Sequence, residues 1–230
     1  MYLIKTPWWL KKIYPAFTWN IKAAGKAIYL TFDDGPHETA TPFVLDQLRK
    51  YHAKATFFCI GKNVLSQSNL YQRILEEGHA VGNHTYNHLN GWKTDDKVYI
   101  NDINNAAQLI NTNLFRPPYG RIKKSQAKLL EAGSRKLEGN TTYSPLTTHH
   151  SPLPPHPSPF SIIMWDVLSA DFDTNLSPEK CLGHVLANTQ NGSIIVFHDS
   201  TKAWDRMSYA LPKVLEHFSN QGYSFKAIVQ

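Results

Sequence analysis

An α/β fold with a parallel sheet or barrel is predicted by three observations. Seven short β-rich runs alternate with helix-like stretches along most of the chain, the order that strand-to-helix crossovers impose on parallel neighbours. The 230 residues, 42% of them hydrophobic, suffice for one sizeable core and one domain. Aromatic residues reach 12% and charged residues only 18%, an apolar surplus that excludes a disordered chain.

Before the first strand lies a Trp/Lys-rich segment, residues 1–26, in which Lys5, Trp8, Trp9, Leu10, Lys11, Lys12, Ile13 and Tyr14 mix cations with large apolar side chains. No apolar run of signal-peptide length follows it, and no stretch nears the roughly 20 apolar residues that span a bilayer. It is expected to pack on the domain, with peripheral contact at a membrane surface as the second reading. The default address is the cytoplasm, with membrane association or the cell envelope as the alternative, and a monomer is expected.

The main domain is expected over 27–230. Its strands are read at 27–32, 55–60, 79–83, 114–117, 161–166, 193–198 and 223–228, each a short apolar or β-branched run. Helices are read at 41–51, 64–77, 95–112, 125–132, 178–188 and 205–219, where apolar residues recur at helical spacing. Residues 134–159 break the pattern. They hold six of the fourteen prolines, which lack an amide donor and fix φ, so a disordered Pro-rich insertion without a catalytic role is expected there. His149, His150 and His156 lie within it and are not read as ligands, because a disordered segment does not preorganise a coordination sphere.

The formal charge of +6 favours anionic surroundings such as cell-wall polymer or phospholipid headgroups. No basic run with interleaved aromatic residues supports a nucleic-acid partner. The two cysteines, Cys59 and Cys181, form no CxxC pair and are read as buried thiols, with a disulfide between them as the alternative.

Five constellations carry chemistry. Thr31–Phe32–Asp33–Asp34–Gly35–Pro36 ends a strand in two carboxylates that, on an extended chain, point to opposite sides and so can do different work. His84 and His88, four apart after another strand, can converge on one ion if the intervening turn is helical. Two imidazoles and one carboxylate suit Zn, Co, Ni or Fe with positions left open for water. In Arg116–Pro117–Pro118–Tyr119–Gly120 the prolines stiffen the backbone, and Arg116 is placed to hold a catalytic carboxylate. Trp165–Asp166 through Asp171–Phe172, and Ile194 through Asp199, sit at strand ends. His198 is suited to donate a proton if a carboxylate tunes it, and spacing leaves Asp166, Asp171 and Asp199 all open as that partner.

Together these motifs, in this order from about residue 28 to 228, resemble the polysaccharide deacetylase family with the NodB homology domain, carbohydrate esterase family four. The resemblance implies a distorted (β/α) barrel of about seven parallel strands, of the kind shared by glycoside hydrolases and deacetylases. It implies a divalent metal, zinc first, on Asp34, His84 and His88, with Asp33 as general base held by Arg116. His198 would be the general acid oriented by Asp171, and the Tyr119 amide would stabilise the oxyanion. Val196 would line the acetyl pocket, with Phe172 and Trp165 as further substrate contacts. Phe172 and Val196 stand where the family usually has Trp and Leu.

The implied activity is removal of N-acetyl groups from amino-sugar polymers or oligomers such as peptidoglycan or chitin, releasing acetate. The same water chemistry allows hydrolysis of another carbon-nitrogen bond or an O-acetyl ester, and the fold alone allows an idle carbohydrate-binding module. Fe(II)-dependent oxygen chemistry uses the same ligand types but leaves Asp33 and His198 without a task.

Overall fold

The computed structural model describes residues 2–132 and 159–229. The Pro-rich stretch with His149, His150 and His156 lies outside the described residues, except Pro159. Seven parallel strands form a curled, open barrel in the order β5-β4-β3-β2-β1-β7-β6. They are β1 (Ala27–Asp33), β2 (Thr56–Cys59), β3 (Ala80–Asn83), β4 (Leu114–Phe115), β5 (Ser161–Ile162), β6 (Val167–Leu168) and β7 (Ile194–His198). An eighth, β8 (Ser224–Phe225), pairs with the start of β1. The helices are α1 (Trp8–Ile13), α2 (Ala40–Lys50), α3 (Gly61–Ser66), α4 (Ser68–Glu76), α5 (Asp96–Ala107), α6 (Lys124–Ala132), α7 (Pro178–Asn188) and α8 (Trp204–Asn220). Among the described residues no helix is long and apolar enough to cross a membrane.

Alternation along β1 explains the layering. Ile28, Leu30 and Phe32 join the large outer core with side chains of α2, α7 and α8, while Ala27 and Tyr29 pack with Phe58, Leu114, Ile163 and Ile194 in a second cluster. The inward row continues through Thr31 to Asp33, so the interior turns polar at the strands' carboxyl ends. β1 is therefore buried on both faces, as a central parallel strand must be.

Several boundaries correct the sequence reading. The helix read at 64–77 is two, because the first turn of α3 serves the neighbouring loops. Ile60, Gly61 and Lys62 donate their amides to the carbonyls of Gly35, Thr85 and Tyr86, and the chain kinks at Gln67 before α4. The strand read at 161–166 stops at Ile162, and the two-residue β6, too short for a periodic signal, follows unread. The strand read at 114–117 ends at Phe115, before prolines that cannot donate to a ladder.

The two outer strands, β5 and β6, are not paired with each other. Instead the N-terminal segment lies on both edges. Thr18 donates to Ile162 and accepts from Met164, Thr6 donates to Asp166, and Ile4 accepts from Leu168. Cys59 and Cys181 are both free and buried, so the disulfide alternative is set aside.

Candidate active site

The chemistry-bearing residues gather at the carboxyl ends of the parallel strands, where loops leave the sheet and backbone groups are no longer used by the ladder. Asp33 and His198 are register partners at the ends of β1 and β7. Asp34 follows with φ 79°, so the expectation of two acids on one extended chain is corrected: Asp33 faces the interior and the backbone reverses at Asp34. The His84–His88 turn is likewise not helical. Thr85 and His88 adopt positive φ, and this irregular loop still brings the two rings to 5.1 Å.

That loop is held from beneath. Asp102 of α5, buried, accepts hydrogen bonds from the Tyr86 and Asn87 amides and from the Asn87 side chain, at 3.0, 2.9 and 2.6 Å. Asn83 accepts from the Thr85 amide and donates to the Ile103 carbonyl. Neither residue was singled out from the sequence, where each reads as an ordinary polar residue in a strand or helix.

One ligand atom from each of Asp34, His84 and His88 lies within 4.8 Å of the others. Asp34 Oδ1 is 3.1 Å from His88 Nε2 and 3.6 Å from His84 Nε2, and is buried without a well-formed hydrogen bond. His84 Nδ1 donates to the Arg116 carbonyl at 2.8 Å, which leaves the Nε2 lone pair facing Asp34. Burial lowers the His84 pKa to about 4, so its ring is neutral. Burial opposes ionisation of Asp34, but neighbouring His88, His198 and His84 outweigh it and hold the carboxyl below the usual range. A neutral imidazole on His84, the His88 ring, an ionised Asp34 carboxylate and an orphaned oxygen among them fit a divalent cation with sites left for water.

Arg116 crosses the interior, fully buried. Its guanidinium donates to Thr31 Oγ1, Asp33 Oδ1 and the carbonyls of Ile163 and Met164, and lies 4.0 Å above the Phe58 ring. These acceptors take four of its five N–H donors and fix the guanidinium in place, so its charge orients Asp33 at 2.7 Å.

Opposite stands His198, whose Nδ1 donates to Asp171 Oδ1 at 2.7 Å while its own amide donates to Oδ2. Burial works against its charge, but Asp171 outweighs this, and Asp34 and Asp33 add to it, raising the pKa to about 10. Asp166, an open candidate from spacing, instead pairs with Lys5 and Lys11. Asp199 sits beneath Gly35, accepts from Thr41 Oγ1, and is raised by burial to about 8.

The walls are aromatic. Phe172 meets His198 edge-on at 5.3 Å, and Tyr2 packs on its other side at 5.3 Å while donating to Asp173. The exposed Tyr119 ring lies 4.6 Å from His88, and Tyr119 itself has φ 61°. Trp165 packs against Gly120, where a Cβ would overlap its ring and φ is +66°. Val196, buried, lies on the same face of β7 as His198.

A family model for polysaccharide deacetylases matches residues 20–135. A peptidoglycan-N-acetylglucosamine deacetylase of Bacillus cereus is 34% identical over 218 residues, covering 92% of this chain and 90% of its own length. Another, PgdA of Listeria monocytogenes, is 33% identical over 88% of this chain and 38% of its own. A crystal structure of a peptidoglycan N-acetylglucosamine deacetylase superposes with a TM-score of 0.77 at 29% identity, over 97% of this chain and 95% of that one.

Proposed function

Because the chain belongs to the polysaccharide deacetylase family, we propose that it removes N-acetyl groups from the glucosamine units of peptidoglycan or a related amino-sugar polymer. The observation that carries this reading is the convergence of the Asp34–His84–His88 cluster with two separately oriented proton-handling groups, Asp33 and His198.

Asp34, His84 and His88 would hold a divalent ion, zinc by its suitability to two imidazoles and a carboxylate, and that ion would supply Lewis acidity to water and to the acetamide carbonyl. Asp33 accepts the proton from the attacking water while Arg116 fixes its carboxylate. As negative charge develops on the carbonyl oxygen, the Tyr119 amide donates to it, a contribution of roughly 3 kcal/mol for a well-placed donor. His198, charged through Asp171, gives its proton to the amine nitrogen as the carbon-nitrogen bond breaks. Acetate and a free amine result. Val196, Phe172 and Trp165 shape the space around the acetyl group and the sugar.

Acetate release from N-acetylglucosamine oligomers and from purified peptidoglycan, set beside release from acetylated xylan, tests the reading. Turnover confined to the xylan ester would replace it with O-deacetylation, and loss of turnover on chelation that zinc restores is expected.

A further inference from the structure

Charge is distributed unevenly along this chain. Residues 1–26 contain five lysines and no aspartate or glutamate, while the rest holds nineteen basic and eighteen acidic residues. Nearly all of the net +6 therefore sits in this segment, and three of its lysines, Lys5, Lys11 and Lys12, belong to the part that lies on the two outer strands of the barrel, whereas Lys26 lies beside β8.

The same segment carries five of the eleven exposed large hydrophobic residues among those described: Tyr2, Leu3, Trp8, Trp9 and Ile13. Leu10, Tyr14 and Phe17 turn inward and pack on the core, so the segment already has its buried side. Trp8 and Ile13 face outward at 69% and 54% exposure, with Lys12 Nζ 4.9 Å above the Trp8 ring. Main-chain hydrogen bonds from Ile4, Thr6 and Thr18 hold this outer face on a fixed support. Lys5 and Lys11 place two ammonium groups against the single carboxylate of Asp166, so even the paired lysines leave an excess of positive charge.

We propose that this face docks peripherally on an anionic lipid bilayer, with Trp8, Trp9, Ile13 and Leu3 entering the boundary between headgroups and acyl chains and the lysines meeting the headgroups. Aromatic rings with a polar N–H edge, flanked by lysine, match that boundary. The aliphatic Leu3 and Ile13 offer nothing to a polysaccharide, which argues against a sugar polymer as the occupant. A second copy docking through the same patch would set Lys5, Lys11 and Lys12 against the same three lysines. Tyr2 ties one margin of the patch to Phe172, so docking brings the catalytic mouth close to the membrane surface.

Flotation of the full chain with phosphatidylcholine vesicles, with and without phosphatidylglycerol, tests this. Binding at least about tenfold tighter to the anionic vesicles, weakened by salt, is expected. Tryptophan quenching by brominated acyl chains should accompany it. The Trp8→Ser/Trp9→Ser/Ile13→Ser variant should lose binding and quenching while keeping its melting temperature and its acetate release from soluble oligomers. Should the triple variant fold poorly, Trp8→Ser alone should weaken binding severalfold. Absence of vesicle binding, or binding undiminished in the variants, would overturn the proposal. So would anionic binding without quenching, which points to a soluble polyanion, or a dimer that the triple variant dissolves. Failure of deacetylation leaves the vesicle result intact, so the two readings are separable.

Discussion

Asp33 and Asp34 are adjacent, yet Asp33 belongs to the interior with Arg116 and Asp34 to the histidine cluster. Replacing Asp33 with Asn should therefore lower kcat by about 10²- to 10⁴-fold, the span of general-base contributions, while zinc content measured by elemental analysis stays near one per chain. Loss of zinc in that variant would place Asp33 among the ligands instead. His198 gives a pH signature whose sign follows from its raised pKa. A group held at about 10 in the fold against 6.5 unfolded stabilises fully below about 6.5 and loses that contribution as pH rises through about 10. Calorimetry should find the melting-temperature advantage of wild type over His198→Gln fully present near pH 6 and shrinking steadily as pH rises toward 10. The candidate groups of this site were legible in the sequence because each loop's chemistry is contiguous at a strand end. Which carboxylate meets His198 was not legible from spacing, since Asp166, Asp171 and Asp199 differ only in where β6 and β7 put them, and only the family resemblance pointed to Asp171.

At the scale of elements, the loop from His84 to His88 is an irregular segment fixed by its neighbours, since Thr85 and His88 hold positive φ and the β-branched Thr85 disfavours it. Asp102 supplies the fixing from α5 through three donors on one carboxylate. Asp102→Asn must turn an amide NH₂ toward at least one of those donors, so zinc affinity, measured by competition with a chromophoric chelator, should fall about 10- to 100-fold. The metal-free protein should lose only about 1–3 kcal/mol of stability, the cost of an unsatisfied buried donor. An affinity that falls no further than stability explains would make Asp102 a plain structural residue. This support was invisible in the sequence because it is long-range: Asp102 sits mid-helix, fourteen residues past His88, where the apolar spacing marks only a buried face. Locality also explains the helix boundaries, since periodicity found the stretch 64–77 but could not register that α3 spends its first amides on other loops.

For the whole molecule, an open parallel barrel leaves two strand edges to be satisfied, and here the N-terminal segment satisfies both. The connection is electrostatic as well as backbone-mediated. Asp166, its side chain fully buried at the start of β6, accepts from Lys5 Nζ and Lys11 Nζ at 2.6 and 2.7 Å and from Ser193 Oγ at 2.6 Å. Burial raises the Asp166 pKa, but Lys11, Lys5 and Ser193 together outweigh it and leave it lowered. Removing both ammonium groups in Lys5→Met/Lys11→Met leaves a buried carboxylate with only Ser193, and should cost about 3 kcal/mol. That is the low end of the range for breaking a buried pair, because the lysine side chains are 33% and 24% exposed and water already screens them. Denaturant unfolding should show the loss at neutral pH, and adding Asp166→Asn to the double variant should restore much of it by removing the stranded charge. Because Tyr2 reaches Phe172 and Phe172 reaches His198, loosening the segment should also be felt at the active site. A fall in kcat of the double variant that Asp166→Asn reverses would show that the lysine-rich segment closes the barrel and steadies the catalytic wall together, whereas stability lost with kcat unchanged would confine it to closing the barrel.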